Sequence, residues 1–222
     1  MRKFDTPAPI SAVLDITAGR VQVIAADRAD TTVEVLPANP AASRDVKTAE
    51  QTTVAYADGA LRIHTEQKTK LFGPSGSLEV TIQLPAGSGI EIKAASAELR
   101  GVGRFGDVAF EGAHCQIKVD EAASVHLTSI DGDVKVGRLN GPAKISLTKG
   151  DIRVTEAVRG TVVLRTRSGD IAVNAAAGVS AVLDASTTFG RINNALKNTE
   201  GATAQLNIHA TTDDGDIIAR SL

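Results

Sequence analysis

The sequence predicts an all-β fold: a parallel, right-handed β-solenoid of about seven coils of 17–25 residues, entered through an antiparallel β N-terminal cap. Three observations carry that reading. Short runs alternate apolar and polar residues, a period near 18 recurs along the second half of the chain, and Gly-Asp returns at a fixed place in it. The runs VHLTSIDGDVKV, AKISLTKGDIRV and VVLRTRSGDIAV, between Val125 and Val173, show all three.

The repeat can be written as a register whose position zero is each Gly-Asp aspartate or its equivalent: Glu98, Gln116, Asp133, Asp151, Asp170, Arg191 and Asp216. Eight before zero stand Ile90, Val108, Val125, Ala143 and Val162; six before, Ile92, Phe110, Leu127, Ile145 and Leu164. One after stand Leu99, Ile117, Val134, Ile152, Ile171, Ile192 and Ile217; three after, Gly101, Val119, Val136, Val154 and Val173. Four columns that stay apolar, with no helical period, fit coils whose equivalent residues stack ~4.8 Å apart, inward columns apolar and outward columns polar. Glycine before aspartate suits a coil corner, where a positive φ is free for Gly. The last two periods lengthen, which places an insertion at residues 193–201.

Along the chain, residues 13–16 and 21–24 read as strands flanking a turn at residues 17–20, and Val33 and Val35 mark a third strand. Pro37 and Pro40 break the pattern, and residues 41–51 form the best helical candidate. Residues 53–57 and 61–64 read as a hairpin turned by Asp58-Gly59. Residues 68–77 are a basic, Gly/Pro-bearing loop, and residues 78–84 alternate cleanly as a strand. The expected organisation is one continuous domain, with residues 1–84 as the cap region and 85–222 as the repeat region.

Composition narrows the function classes. A net charge of −2 offers no general attraction to nucleic acid or to an anionic membrane. Aromatic residues make up only 3% of the chain, which leaves few stacking platforms for sugars or bases. Cys115 is the sole cysteine, so an intrachain disulfide cannot form. No 18-residue apolar run and no uninterrupted signal-peptide core occurs, so the expected location is cytoplasmic, without a membrane span.

From about residue 71 onward, SLEVTIQLPAGSGIEIKAAS leads into repeated S-x-x-GD-[IV]-x-V units, and LDITAGRVQVIAADRADTTVEVLPANP precedes them. These segments resemble the adhesin-like domain-of-unknown-function family common in actinobacteria, whose members carry a TGSGDV phrase in each coil. Here the phrase is degraded to SIDGDV, LTKGDI, RSGDI and TDDGDI. The resemblance covers nearly the whole chain. It implies a β-solenoid and an adhesin-like label without a defined ligand, and it supplies no catalytic residues.

The aspartate column Asp133, Asp151 and Asp170 is the sharpest chemical candidate, because stacked carboxylates ~5 Å apart invite a cation or acid/base work. Lys118, Lys135 and Arg153 stand two residues after zero on the same outward face. The simplest expectation is a charge-compensated ladder in which each aspartate has a basic neighbour. A calcium β-roll is disfavoured because each period holds one GD and no GGxG. The G-x-G-x-x-G at 101–106 is followed by a strand pattern and not by the helix a dinucleotide site needs. His126 and His209 share a column but stand four coils apart in sequence, too far to share a metal; His114 and Cys115 point to alternate sides.

The expected function is therefore a non-catalytic adhesin-like scaffold or interaction module. It presents Asp133, Asp151, Asp170, Lys118, Lys135 and Arg153 as a charged face, with no cofactor and no small-molecule substrate. Its open last coil, ending at Leu222, is expected to be covered by the loop at 193–204 or to pair with a protein partner or a second copy. Two other readings use the same aspartates: a parallel β-helix enzyme acting on an acidic polymer, and a cation-binding rod.

Overall fold

The computed structural model describes residues 1–66 and 76–222; all but the last two residues of the basic loop read at 68–77 lie outside the described residues. The elements follow the chain as β1 (Arg2–Asp5), β2 (Ser11–Ala26), β3 (Asp30–Pro37), α1 (Ser43–Glu50), β4 (Thr52–Ala57), β5 (Ala60–Thr65), β6 (Leu78–Pro85) and β7 (Gly89–Asp131). They continue as β8 (Val134–Leu139), β9 (Ala143–Lys149), β10 (Ile152–Ala157), β11 (Gly160–Arg165), β12 (Ile171–Ala175), β13 (Ala181–Phe189), β14 (Ile192–Ala195), β15 (Leu206–Asp214) and β16 (Ile217–Ser221). All strands belong to one mixed sixteen-stranded sheet that winds as stacked, solenoid-like layers.

Most pairs between layers are parallel, and they keep the register read from the columns. Ile117 pairs with Val134, Val134 with Ile152, and Ile152 with Ile171. Val125 pairs with Ala143, and Ala143 with Val162. These inward residues form one continuous buried core along the stack. Burying each Val, Leu or Ile contributes roughly 1.5–3 kcal/mol, so the columns are the main source of stability. Gly101 leaves a gap in the column three after zero. The buried Phe105 ring fills it, since a Cβ on Gly101 would lie 3.0 Å from that ring.

The stack begins earlier in the chain than expected. Residues 17–20 do not turn back as a hairpin. β2 runs on from Ser11 to Ala26 and pairs parallel with β7 along its length, Ala12 with Ile90 and Val21 with Leu99. Gly19 therefore sits at a coil corner, the equivalent of the Gly before Asp. On its other side β2 pairs parallel with β5 and then β6, which together form a further layer. Parallel layering thus reaches well inside the 1–84 region expected to be antiparallel. The antiparallel strands are fewer: β4 on β5, β3 on β6, and β1 on β3. The predicted hairpin is present, with Asp58 and Gly59 at φ of 51° and 74°, the left-handed values a tight two-residue turn requires. The predicted helix is present as α1; its buried Asp45 accepts the Asn39 and Ser77 N–H groups at 3.1 and 3.0 Å, tying the helix to the start of β6.

The far end holds a second departure. β15 and β16, the last strands in the chain, are not the last layer. β15 pairs with β11 on one side and β13 on the other, and β16 pairs with β12 and β14. The layer 206–221 is inserted between 160–175 and 181–195, so β13 and β14 form the outer layer. The connection at 196–204 folds back on Ser180, whose hydroxyl accepts the Thr199 and Glu200 N–H groups, each at 3.1 Å. Among the described residues, no helix is long and apolar enough to cross a membrane.

Candidate functional site

The corner of each layer explains the Gly-Asp phrase. A parallel ladder is interrupted at a corner, and the backbone N–H at position zero loses its strand partner there. The aspartate of the neighbouring layer supplies an acceptor. Asp133 Oδ1 accepts the Asp151 N–H at 2.9 Å, Asp151 Oδ1 the Asp170 N–H at 2.8 Å, Asp170 Oδ1 the Asp216 N–H at 2.7 Å, and Asp216 Oδ1 the Arg191 N–H at 2.8 Å. The glycine just before zero lies against the carbonyl of the previous layer's corner. At Gly150, φ is +127° and a Cβ would stand 2.2 Å from the Gly132 carbonyl oxygen, which no side chain can occupy.

Sequence reading missed a third member of the corner, the hydroxyl four residues before zero. Thr166 Oγ1 donates to the Gly150 carbonyl at 3.1 Å, Thr212 Oγ1 to that of Gly169 at 3.1 Å, and Thr187 Oγ1 to that of Gly215 at 3.0 Å. Ser129, in the same column, donates to the Ala113 carbonyl at 3.2 Å. The signal was present in the S-x-x-GD phrase: a Ser or Thr on an inward column demands a polar partner.

The predicted site residues are brought together, but with different chemistry from that expected. Asp133, Asp151 and Asp170 stack in register, and Lys118, Lys135 and Arg153 stack beside them. Among the described residues, none of the three aspartates forms an ion pair with these cations. Their partners are backbone N–H groups, so the expected charge-compensated ladder is corrected to a backbone-capping one. True charge compensation occurs in the same column at the other end, where Arg20 stands between Glu79 and Glu98 and its Nε donates to Glu98 Oε2 at 3.0 Å. That contact raises the Arg20 pKa.

With one oxygen of each aspartate held by a backbone donor, the column lacks the convergent oxygens a hard cation takes. Among the described residues, no group of three or more His, Cys, Asp or Glu side chains is placed to hold a metal. The histidines are dispersed. His126 reaches His209 in three layer steps through Lys144 and Val163, one fewer than sequence order indicates because of the inserted layer. That is still ~14 Å at the interlayer spacing. His64, His114 and His209 each lie beside one aspartate: Asp15 at 3.2 Å, Asp131 at 3.5 Å and Asp184 at 3.3 Å. Burial pushes the Cys115 thiol pKa up, which keeps it protonated and unreactive. The G-x-G-x-x-G at 101–106 lies wholly within β7, at a coil corner where a Cβ on Gly103 would stand 2.0 Å from the Ala25 carbonyl oxygen.

A family model, Toastrack DUF4097, matches residues 12–221. The chain belongs to the Toastrack family. The match begins within β2, in agreement with a stack that starts near residue 11. A candidate adhesin from Bacteroides fragilis has a similar solved structure, with a TM-score of 0.57 and 16% identity over 98% of this chain and 95% of that one. A candidate cell adhesion protein from Clostridium sporogenes aligns with a TM-score of 0.40 and 13% identity, covering 100% of this chain and 98% of that one. Among curated proteins, none matches this Toastrack chain. The likeness to the Bacteroides protein bears on the fold alone; the family match agrees with the domain-of-unknown-function resemblance read from the Gly-Asp units.

Proposed function

We propose that this Toastrack protein is a non-catalytic, adhesin-like interaction module whose recognition surface is the basic column Lys118, Lys135 and Arg153. One observation carries the reading: the aspartates beside that column are engaged by backbone donors, which leaves the three cations without an ion-pair partner among the described residues. Three positive charges spaced by one layer present a straight ladder ~10 Å long, suited to an acidic segment laid along the stack. The adhesin name of the Bacteroides fragilis neighbour agrees with a surface-recognition role.

Retention on immobilised polyglutamate at rising salt tests it. The wild type is retained at low salt and released as salt screens the column; Lys118→Gln/Lys135→Gln/Arg153→Gln is not retained, with its melting curve unchanged. Equal retention of the two proteins would overturn the assignment of this face. Turnover of an acidic polymer by the wild type, lost in Asp151→Asn, would overturn the non-catalytic reading.

A further inference from the structure

The outer layer, β13 with β14, differs from every other layer of the stack. Among the described residues, β13 pairs only with β15 and β14 only with β16; on the outer edge of β13 the Ala181 N–H donates to the Lys197 carbonyl at 3.1 Å, and the edge from Leu183 onward is open. The core columns are uncovered there too. Ile192 is 45% exposed although it occupies a column buried in the preceding layers, and Phe189, at the corner beside the exposed Asp214, is 72% exposed. Leu183 and Ala185 are half-buried, while their neighbours Ile208 and Ala210 are fully buried. Natural edge strands are commonly blunted by lysine, proline or bulges. Residues 181–195 contain no Lys and no Pro, and their two charges are Asp184 and Arg191.

We propose that this layer is an interface with a second copy of the chain, formed head to head by antiparallel pairing of β13 with its counterpart about Ala185. Three features of the molecule select this occupant and this direction. First, an open strand edge is satisfied by another strand, since only a strand offers backbone donors and acceptors at the matching spacing. Second, continuation of the stack in parallel is disfavoured at both ends. Each inner corner from Asp133 to Asp216 carries an aspartate that caps the next layer's N–H, but the outer corner carries Arg191, which cannot accept a hydrogen bond. At the opposite end, β4 and β3 already cover the layer that a head-to-tail copy would need. What remains is a two-fold, isologous contact.

Third, β13 is self-complementary in that register. Pairing residues 183–187 of the strand places Ala185 opposite its own counterpart and Leu183 opposite Thr187. Inward residues then face inward residues, so the two cores join. Asp184 faces Ser186, so no like charges stand opposite one another. The Lys118, Lys135 and Arg153 column plays no part in the pairing, so loss of this contact and loss of the proposed recognition face are separable.

Light scattering of the full chain over a wide concentration series reads the contact. The expected mass rises from 23.0 kDa toward twice that value. Phe189→Asp, just past the paired residues, weakens the dissociation constant by about tenfold or more, and at concentrations where the chain is monomeric its melting curve stays unchanged because Phe189 is 72% exposed. Under mild oxidation, Ala185→Cys forms an intermolecular disulfide at its self-paired position, while the wild type does not, since Cys115 is buried. A constant mass of 23.0 kDa at all concentrations overturns the proposal. So does a dimer that Phe189→Asp leaves intact, a dimer that Ala185→Cys does not cross-link, or an open-ended series of larger assemblies, which would mean parallel stacking.

Discussion

The two ends of this stack solve the same problem in opposite ways. Any pile of parallel layers leaves a row of unpaired backbone and an uncovered core at each end. At one end the layer 60–85 is covered by the chain's own antiparallel strands, β4 over β5 and β3 with β1 over β6, and Leu61, Ile63, Val80 and Ile82 are fully buried. At the other end no strand follows the layer 181–195 among the described residues, and Ile192, in an inward column, is 45% exposed. A column position therefore does not guarantee burial; a layer's inward residues are buried only when something lies beyond them. Neither outer layer is the chain's first or last segment. β2 lies inside the layer 60–85, and β15–β16 lie inside the layer 181–195. The last strands, β15 and β16, lie in the interior of the stack, where each has two neighbours, whereas β1 pairs with β3 alone.

The sharpest way to test this comparison is to remove the same chemistry at both ends. Ile208→Ala in the inserted layer and Leu61→Ala in the covered one should each cost about 2–5 kcal/mol, the range for a fully buried aliphatic side chain. Ile192→Ala, in an equivalent apolar column, should cost less than about 1 kcal/mol at concentrations where the chain is monomeric. Urea denaturation midpoints check all three. An Ile192→Ala cost equal to that of Leu61→Ala would mean the outer layer is covered after all.

Corner glycines come next. Gly150→Ala should cost about 1–3 kcal/mol from backbone strain, with the clash against the Gly132 carbonyl added to it. Gly178, at φ +77° with nothing within 4 Å of its would-be Cβ, carries only the left-handed penalty of about 1–2 kcal/mol on replacement by Ala. Thermal melts of the two variants separate strain from clash.

The aspartate ladder predicts a smaller contrast. Asp151→Ala removes the acceptor for the Asp170 N–H and should cost about 1 kcal/mol, whereas Asp151→Asn retains an acceptor oxygen and should cost less. Arg191→Ala, where the ladder ends, should leave the unfolding midpoint unchanged. If Arg191→Ala costs as much as Asp151→Ala, corner capping is not what the aspartates do.

The smallest expected effect lies at the covered end and depends on pH. The hydrogen bond from Arg28, then that from Lys3, lowers the Asp30 pKa to about 2 from a model-peptide value of 3.8. A carboxyl whose folded pKa lies below its unfolded one stabilises the fold above the unfolded value and loses that contribution as pH falls through the folded one. Asp30 should therefore help hold β1 on β3 above pH 3.8 and release it progressively toward pH 2. Asp30→Asn should flatten that part of the stability–pH curve, as read by urea titrations at several pH values.

The fold class was legible because a parallel stack repeats its physics. Each layer must place apolar side chains in the same inward positions, so Ile152, Ile171 and Ile217 recur at one place in the register. The hairpin at Asp58-Gly59 and the helix near residues 43–50 were legible for local reasons, turn chemistry and polar spacing. The corner at residues 17–20 was misread because alternating strands around a glycine look the same whether the chain reverses or bends into the next face. Only the pairing of β2 with β7 distinguishes the two. At the candidate site, stacking of Asp133, Asp151 and Asp170 followed from the period, but the backbone N–H groups that hold them are invisible in a list of side chains.

The sequence by itself determined the layer: its length, its inward columns, its Gly-Asp corners and the residues that face out. The tertiary structure decided the order of the layers. Columns of Val, Ile and Leu accept any similar layer as a neighbour, so the pattern cannot say that 206–221 slips between 160–175 and 181–195, or that 60–85 lies outside 11–26. Hydrophobic burial is non-directional. The choice falls to the antiparallel strands that cover one end and to the connection that lets the last segment fold back inside. That choice determines which edge remains open to a second copy.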